Sequence, residues 1–134
     1  MIRALIVDDS SFMRKALKYI LESDKAIEVV GTASDGEEAI RQVKQLHPDV
    51  VLLDVAMPVM DGLTALAHII AERPVPVVVL SGIKDARIAI KSLEQGAVDF
   101  IRKPSGVISY DIDAMKGEII AKVKTAAAVD VCKL

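Results

Sequence analysis

The chain has 134 residues, 52% of them apolar and only 3% aromatic, with a formal net charge of −2 at pH 7. That length fits a single domain, large enough to bury a core without disulfides or a structural metal. Balanced, interspersed charge leaves no electrostatic footprint for nucleic acid or an anionic membrane surface, so neither is expected as a partner.

No apolar run approaches the ~20 residues of a membrane span. The first apolar segment, Ala4–Val7, leads straight into two carboxylates, which is not the pattern of a signal peptide. The single cysteine, Cys132, can form no intrachain disulfide and fits a reducing compartment. The expected location is therefore the cytoplasm. With so few aromatics, the core must be made of Val, Ile, Leu and Ala, the residues of a buried parallel sheet covered by helices.

In chain order, short apolar runs alternate with stretches of helical period. Ala4–Val7 reads as the first strand. Phe12, Met13, Ala16, Leu17, Ile20 and Leu21 then form one face of a helix whose other face carries Arg14, Lys15, Lys18 and Glu22. Ile27–Val30 is the second strand. Ala39, Ile40, Val43 and Leu46 mark the second helix, ended by Pro48, which disfavours α geometry at His47. Val50–Leu53 is the third strand, and Leu63, Leu66, Ile69 and Ile70 mark a helix that stops before Pro74 and Pro76. Val75–Leu80 is the fourth strand. Ala86, Ala89, Ile90 and Leu93 mark the fourth helix, with Gly96 as its stop. Ala97–Ile101 is the last strand, followed by a helix through Ile112, Met115, Ile119, Ile120 and Val123. This alternation predicts an α/β fold, a doubly wound parallel sheet of five strands with five helices.

In such sheets ligands bind beyond the carboxyl ends of the strands. Those ends carry Asp8-Asp9 after the first strand, Asp54 at the third, Ser81 after the fourth and Lys103-Pro104 after the fifth. Singly, each has a plainer reading: Asp8-Asp9 and Ser81 as helix caps, Lys103 as a solvated lysine, and Asp61-Gly62 as a turn. Together at one sheet edge they are hard to produce by capping alone. Three converging carboxylates repel one another unless a cation lies between them. Mg²⁺ suits one or two carboxylates plus waters and phosphate oxygens, whereas Ca²⁺ would need more protein oxygens and zinc would need His or Cys ligands. A carboxylate such as Asp54 can then attack a phosphoryl group. Lys103 can pair with a phosphate oxygen and the Ser81 hydroxyl can hydrogen-bond another.

The segments Val7-Asp8-Asp9-Ser10, Leu53-Asp54-Val55-Ala56-Met57-Pro58-Val59-Met60-Asp61-Gly62, Gly96-Ala97-Val98-Asp99-Phe100 and Lys103-Pro104 resemble the receiver domains of two-component response regulators. The resemblance covers residues 1–125 and leaves 126–134 as an Ala-rich tail that looks like the start of an interdomain linker. It implies the flavodoxin-like receiver fold with strand order 2-1-3-4-5, for which a receiver protein is itself the standing example. It implies that Asp54 accepts a phosphoryl group from the phospho-His of a histidine kinase. Asp9 and Asp54 would bind Mg²⁺ directly, Asp8 through water, and the Ala56 carbonyl would complete the protein ligands. Ser81 and Phe100 would be the switch residues, and Lys103-Pro104 a cis peptide.

A narrower resemblance, to the receiver half of chemotaxis protein-glutamate methylesterases, rests on Val7 to Arg14, Glu28 to Ala33 and Gly96 to Gly106. In that family the receiver covers a C-terminal esterase domain and releases it on phosphorylation. No esterase half is present here, so the chain as it stands is expected not to be an enzyme beyond its own phosphorylation and dephosphorylation. The chain reads as the regulatory segment of a longer methylesterase, with a stand-alone messenger as the alternative. Ala56 stands where those methylesterases often carry Glu, and the stretch from Ser81 to Gly96 is slightly shorter than theirs. A different aspartyl-phosphate lifetime is therefore expected. A haloacid-dehalogenase-like phosphatase would need a second acid at Ala56. An FMN carrier would place its phosphate against the repelling Asp8-Asp9 pair.

Overall fold

The computed structural model describes residues 1–54, 62–72, 74–81, 86–102 and 115–129. They form β1 (Ile2–Val7), α1 (Ser11–Glu22), β2 (Ile27–Ala33), α2 (Gly36–Leu46), β3 (Val50–Asp54), α3 (Gly62–Glu72), β4 (Val77–Ser81), α4 (Ala86–Glu94), β5 (Asp99–Arg102) and α5 (Lys116–Ala127). The strands make one sheet in the order β2-β1-β3-β4-β5, every neighbouring pair parallel.

This order places helices on both faces. The chain steps from β1 outward to β2 through α1, then reverses and crosses back past β1 to β3 through α2. Right-handed crossovers in opposite directions fall on opposite faces. Along each strand alternate side chains face opposite layers. Ala4, Ile6, Leu52, Val78, Leu80 and Ile101 pack with Leu17, Ile20 and Leu21 of α1 and with Ile119 and Val123 of α5. Leu5, Val7, Val51, Leu53, Val77 and Val79 pack with Ala39 and Val43 of α2 and Ala65, Leu66 and Ile69 of α3.

Local chemistry sets the ends. Asp35 caps α2 by accepting from the Glu38 amide at 2.9 Å. His47, ahead of Pro48, leaves the helix in the left-handed region at φ 50°, ψ 58°. Gly96 takes φ 116°, which favours glycine, and its amide donates to the Leu93 carbonyl as α4 ends. Between β1 and β2 the register slips after Ala4, which pairs with Val29 while Leu5 pairs with Gly31, so Val30 is an extra residue in β2.

Several expectations shift. β1 begins at Ile2, β2 runs on to Ala33, and β5 spans Asp99–Arg102 rather than Ala97–Ile101. β4 begins at Val77, because Pro76 has no amide to add to the ladder and offers only its carbonyl, taken by the Val51 amide at 2.9 Å. Phe12 is 52% exposed, so it lies off the buried face of α1. In α4, Ile90 and Leu93 face outward while Ser92 is buried and Ile88 packs on the core. The start of the last helix at Ile112, the Asp61 half of the Asp61-Gly62 turn and Cys132 lie outside the described residues. Gly62 itself opens α3. Among the described residues, no helix is long and apolar enough to cross a membrane.

The carboxylate of Asp24, in the turn between α1 and β2, accepts from the Ala26 amide at 2.8 Å and from Lys124 of α5 at 3.1 Å. The amide bond first, and then the ammonium, hold its carboxyl below the usual value of 3.8. A depressed folded pKa stabilises the fold above the unfolded pKa, and that contribution disappears as pH falls through the folded one. Wild type is therefore expected to melt above Asp24→Asn at neutral pH, the gap closing below the carboxylate range. Thermal melts across pH check this.

Candidate functional site

The sheet reverses direction between β1 and β3, and there its carboxyl edge gathers acid. Asp8 follows β1 and is fully buried, Asp54 ends β3 at 1% exposure, and Asp9 is exposed beside them. Oxygen atoms of the three carboxylates all lie within 4.8 Å of one another. Asp54 sits opposite Leu80, so the next residue of β4, Ser81, ends the neighbouring strand one step beyond it; Ser81 is 2% exposed. Burial at the end of β4, five positions before α4 begins, excludes Ser81 as that helix's cap.

The backbone fixes Asp8 from both sides. Its amide donates to the Ala33 carbonyl at 3.0 Å, continuing the ladder to β2. Its Oδ1 accepts from the Ser10 amide at 2.9 Å. The cap of α1 is Ser10 rather than either aspartate, its hydroxyl accepting from the Met13 amide at 3.3 Å. This leaves Asp9 oriented by no capping duty. Arg14, one turn into α1, donates from Nη1 to the Asp8 carbonyl at 2.6 Å.

Chemically, this is an oxygen-only donor set with three negative charges crowded at one edge. Like charges this close repel one another, and a hard divalent cation with oxygen ligands offsets that repulsion. The residues present therefore fit Mg²⁺. Ala56, Lys103 and Pro104, together with the expected cis peptide between the last two, lie outside the described residues. Phe100 lies on β5 opposite Val79, half-buried against the core layer of α2 and α3. A cleft of about 530 Å³ between α3 and α4 is lined by Leu63, Thr64, Ala67, His68, Lys91 and Gln95 among others, with no carboxylate among its described lining residues. The acidic edge is the better equipped for chemistry. Arg14 and Ser10 were missed in the sequence: a serine ahead of a helical face signalled the cap, but nothing signalled that Arg14 turns back to Asp8.

A doubly wound sheet with an acidic carboxyl edge is the frame of a receiver domain, and the chain belongs to the response regulator receiver domain family, whose model matches residues 4–109. Its relatives include the protein-glutamate methylesterase/protein-glutamine glutaminase of Pyrococcus abyssi, 55% identical over 130 residues, covering 96% of this chain and 35% of that protein. The Caldanaerobacter subterraneus protein of the same name is 50% identical over 128 residues, covering 94% of this chain and 35% of that one. The chain thus spans about a third of the length of these relatives. Among solved structures, the response regulator domain of Thermotoga maritima CheB matches with TM-score 0.91 at 42% identity, over 97% of this chain and 98% of that one. A chain of the Borrelia burgdorferi CheX-CheY-BeF3-Mg complex matches with TM-score 0.72 at 34% identity, over 87% of this chain and 89% of that one.

Proposed function

We propose that this chain is the phosphorylation-controlled receiver of a chemotaxis methylesterase, with Asp54 as the phosphoacceptor. The observation that carries this reading is the convergence of Asp8, Asp9 and Asp54 within 4.8 Å at the switch point of the sheet. Asp8, Asp9 and Asp54, together with the Ala56 carbonyl, would hold the Mg²⁺ ion. When bound, the ion neutralises charge on the acids and on the phosphoryl oxygens. A carboxylate oxygen of Asp54 forms the new bond to phosphorus. The P–N bond of a phospho-His breaks, and its electron pair stays with the imidazole. The Lys103 ammonium pairs with a phosphoryl oxygen and the Ser81 hydroxyl donates to another.

The phosphodonor is a histidine kinase. Phosphorylation draws Ser81 toward the new phosphate and turns Phe100 inward. Phe100 has no hydroxyl, so packing alone stabilises its inward state. The readout is control of a methylesterase domain outside this chain, which the similarity to full-length methylesterases favours over a stand-alone messenger. The presence of BeF3 and Mg in the similar Borrelia burgdorferi complex supports an acidic site that accepts a phosphoryl-like group with a divalent cation.

Intact mass after incubation with acetyl phosphate tests the reaction. The expected result is a gain of one phosphoryl group in Mg²⁺ and none in excess chelator. Equal uptake in both, or none in either, contradicts the proposal.

A further inference from the structure

Lys122, on α5, brings one ammonium to four groups around β5. It donates to the Phe100 carbonyl at 2.8 Å and lies 5.5 Å from the centre of the Phe100 ring. The same nitrogen is 3.7 Å from Asp99 Oδ1 and 3.6 Å from Glu118 Oε2. Its side chain is 29% exposed, against 40% for Asp99 and 48% for Glu118. Ile119 and Val123, the neighbours of Lys122 on α5, are buried in the core layer beneath the sheet. The base of the lysine is therefore fixed, while its head reaches the outer strand.

Each contact alone is weak in water. Their arrangement matters more than their number. Asp99 precedes Phe100 on β5, and Glu118 lies one helical turn before Lys122, so two carboxylates from different elements hold the ammonium over the backbone and ring of one residue. The Phe100 amide is itself bonded to Asp99 Oδ1 at 2.7 Å, which ties the aspartate into the same unit. If the ring leaves this position, the cation–π contact is lost, while the carbonyl bond and the ion pairs can persist. The cluster thus favours one ring position over any other.

We infer that Lys122 is a positioning residue for Phe100: held by Asp99 and Glu118 over the ring and carbonyl of Phe100, it clasps the aromatic in its resting position and sets how readily it moves. This rests on the proposed reading that Phe100 moves on phosphorylation. A contact present in only one of two states shifts their populations by its own free energy. By linkage it changes affinity for whatever favours the other state by the same factor. Removing the charge therefore raises apparent affinity for a phosphoryl mimic by about 2- to 5-fold, the equivalent of one exposed cation–π contact.

The chain contains two phenylalanines, Phe12 and Phe100, so ¹³C-phenylalanine labelling gives a ring spectrum simple enough to assign with Phe100→Leu. Spectra of wild type, Lys122→Met and Lys122→Arg are compared in Mg²⁺, with and without beryllofluoride. In Lys122→Met without beryllofluoride, the Phe100 ring signals are expected to move toward their beryllofluoride-bound positions while those of Phe12 stay put. Lys122→Arg, which keeps a cation over the ring, retains the wild-type spectrum. Beryllofluoride titrations are expected to show the 2- to 5-fold gain in affinity for Lys122→Met only. Phe100 signals unmoved by Lys122→Met, or moved equally by Lys122→Arg, overturn the clasp. A wild type that ignores beryllofluoride while Lys122→Met still displaces the Phe100 signals sinks the phosphorylation reading and leaves the clasp standing.

Discussion

Asp54→Asn is expected to take up no phosphoryl group from acetyl phosphate in Mg²⁺, and yet to melt above wild type once divalent cations are removed. Both effects follow from the acidic edge. An amide nitrogen or oxygen is a poor nucleophile beside a carboxylate, so the bond to phosphorus has no acceptor at this position. The same change removes one of three negative charges whose oxygens lie within 4.8 Å of one another, two of them on side chains buried to 1% exposure or less. Relief of one like-charge contact at this range corresponds to about 1 kcal/mol at the dielectric of water. For a domain of this size that is about 3–6 °C in melting temperature.

Magnesium then narrows or reverses the order. A ligand that binds only the folded state at about 100 times its dissociation constant adds about 2.7 kcal/mol to stability. Wild type should gain that increment, whereas Asp54→Asn, which removes one carboxylate of the proposed ion site, should gain much less. Melts in chelator and in a Mg²⁺ series, beside mass measurements, separate these terms. A variant that melts with wild type in chelator and responds equally to Mg²⁺ would show that Asp54 belongs to no metal site.

The second large effect is in the core. Leu52→Ala is expected to destabilise the domain by about 2–5 kcal/mol, a large part of the ~5–15 kcal/mol that holds a typical domain folded. Leu52 lies in β3, the middle strand of the sheet, paired to Ile6 of β1 and Val78 of β4, and is 1% exposed. Its side chain joins the layer filled by α1 and α5, where packing from both neighbouring strands and both helices prevents the space from collapsing. The cost therefore sits high in the range for large-to-small changes. Urea denaturation gives the value, and a loss under about 1 kcal/mol would mean that this layer repacks freely.

Much of this architecture was legible because strands and helices here use different periods. Val50–Leu53 is a continuous apolar run because β3 is buried on both faces, and Leu17, Ile20 and Leu21 repeat at helical spacing because only one side of α1 meets the sheet. Legibility fails where hydrophobicity does not decide the outcome. In α4, Ile90 and Leu93 look like core residues, but the helix turns Ile88 and Ser92 inward, a choice set by how it docks on β4 and β5. The extra residue at Val30 leaves no pattern either, since a bulge changes register without changing composition.

At the site, the short aspartates were readable because a side chain with one methylene stays where its strand end puts it. Long cations were not. Arg14 and Lys122 look like ordinary polar-face residues of α1 and α5, and only tertiary geometry assigns one to the Asp8 carbonyl and the other to Phe100.

The most direct test of the central proposal is to locate the phosphoryl group. Wild type is treated with acetyl phosphate in Mg²⁺, the acyl phosphate is trapped by borohydride reduction, and the modified peptide is sequenced by mass spectrometry. Modification is expected at Asp54, dependent on Mg²⁺. Modification at Asp8, Asp9 or any other residue, with Asp54 intact, would contradict the proposal.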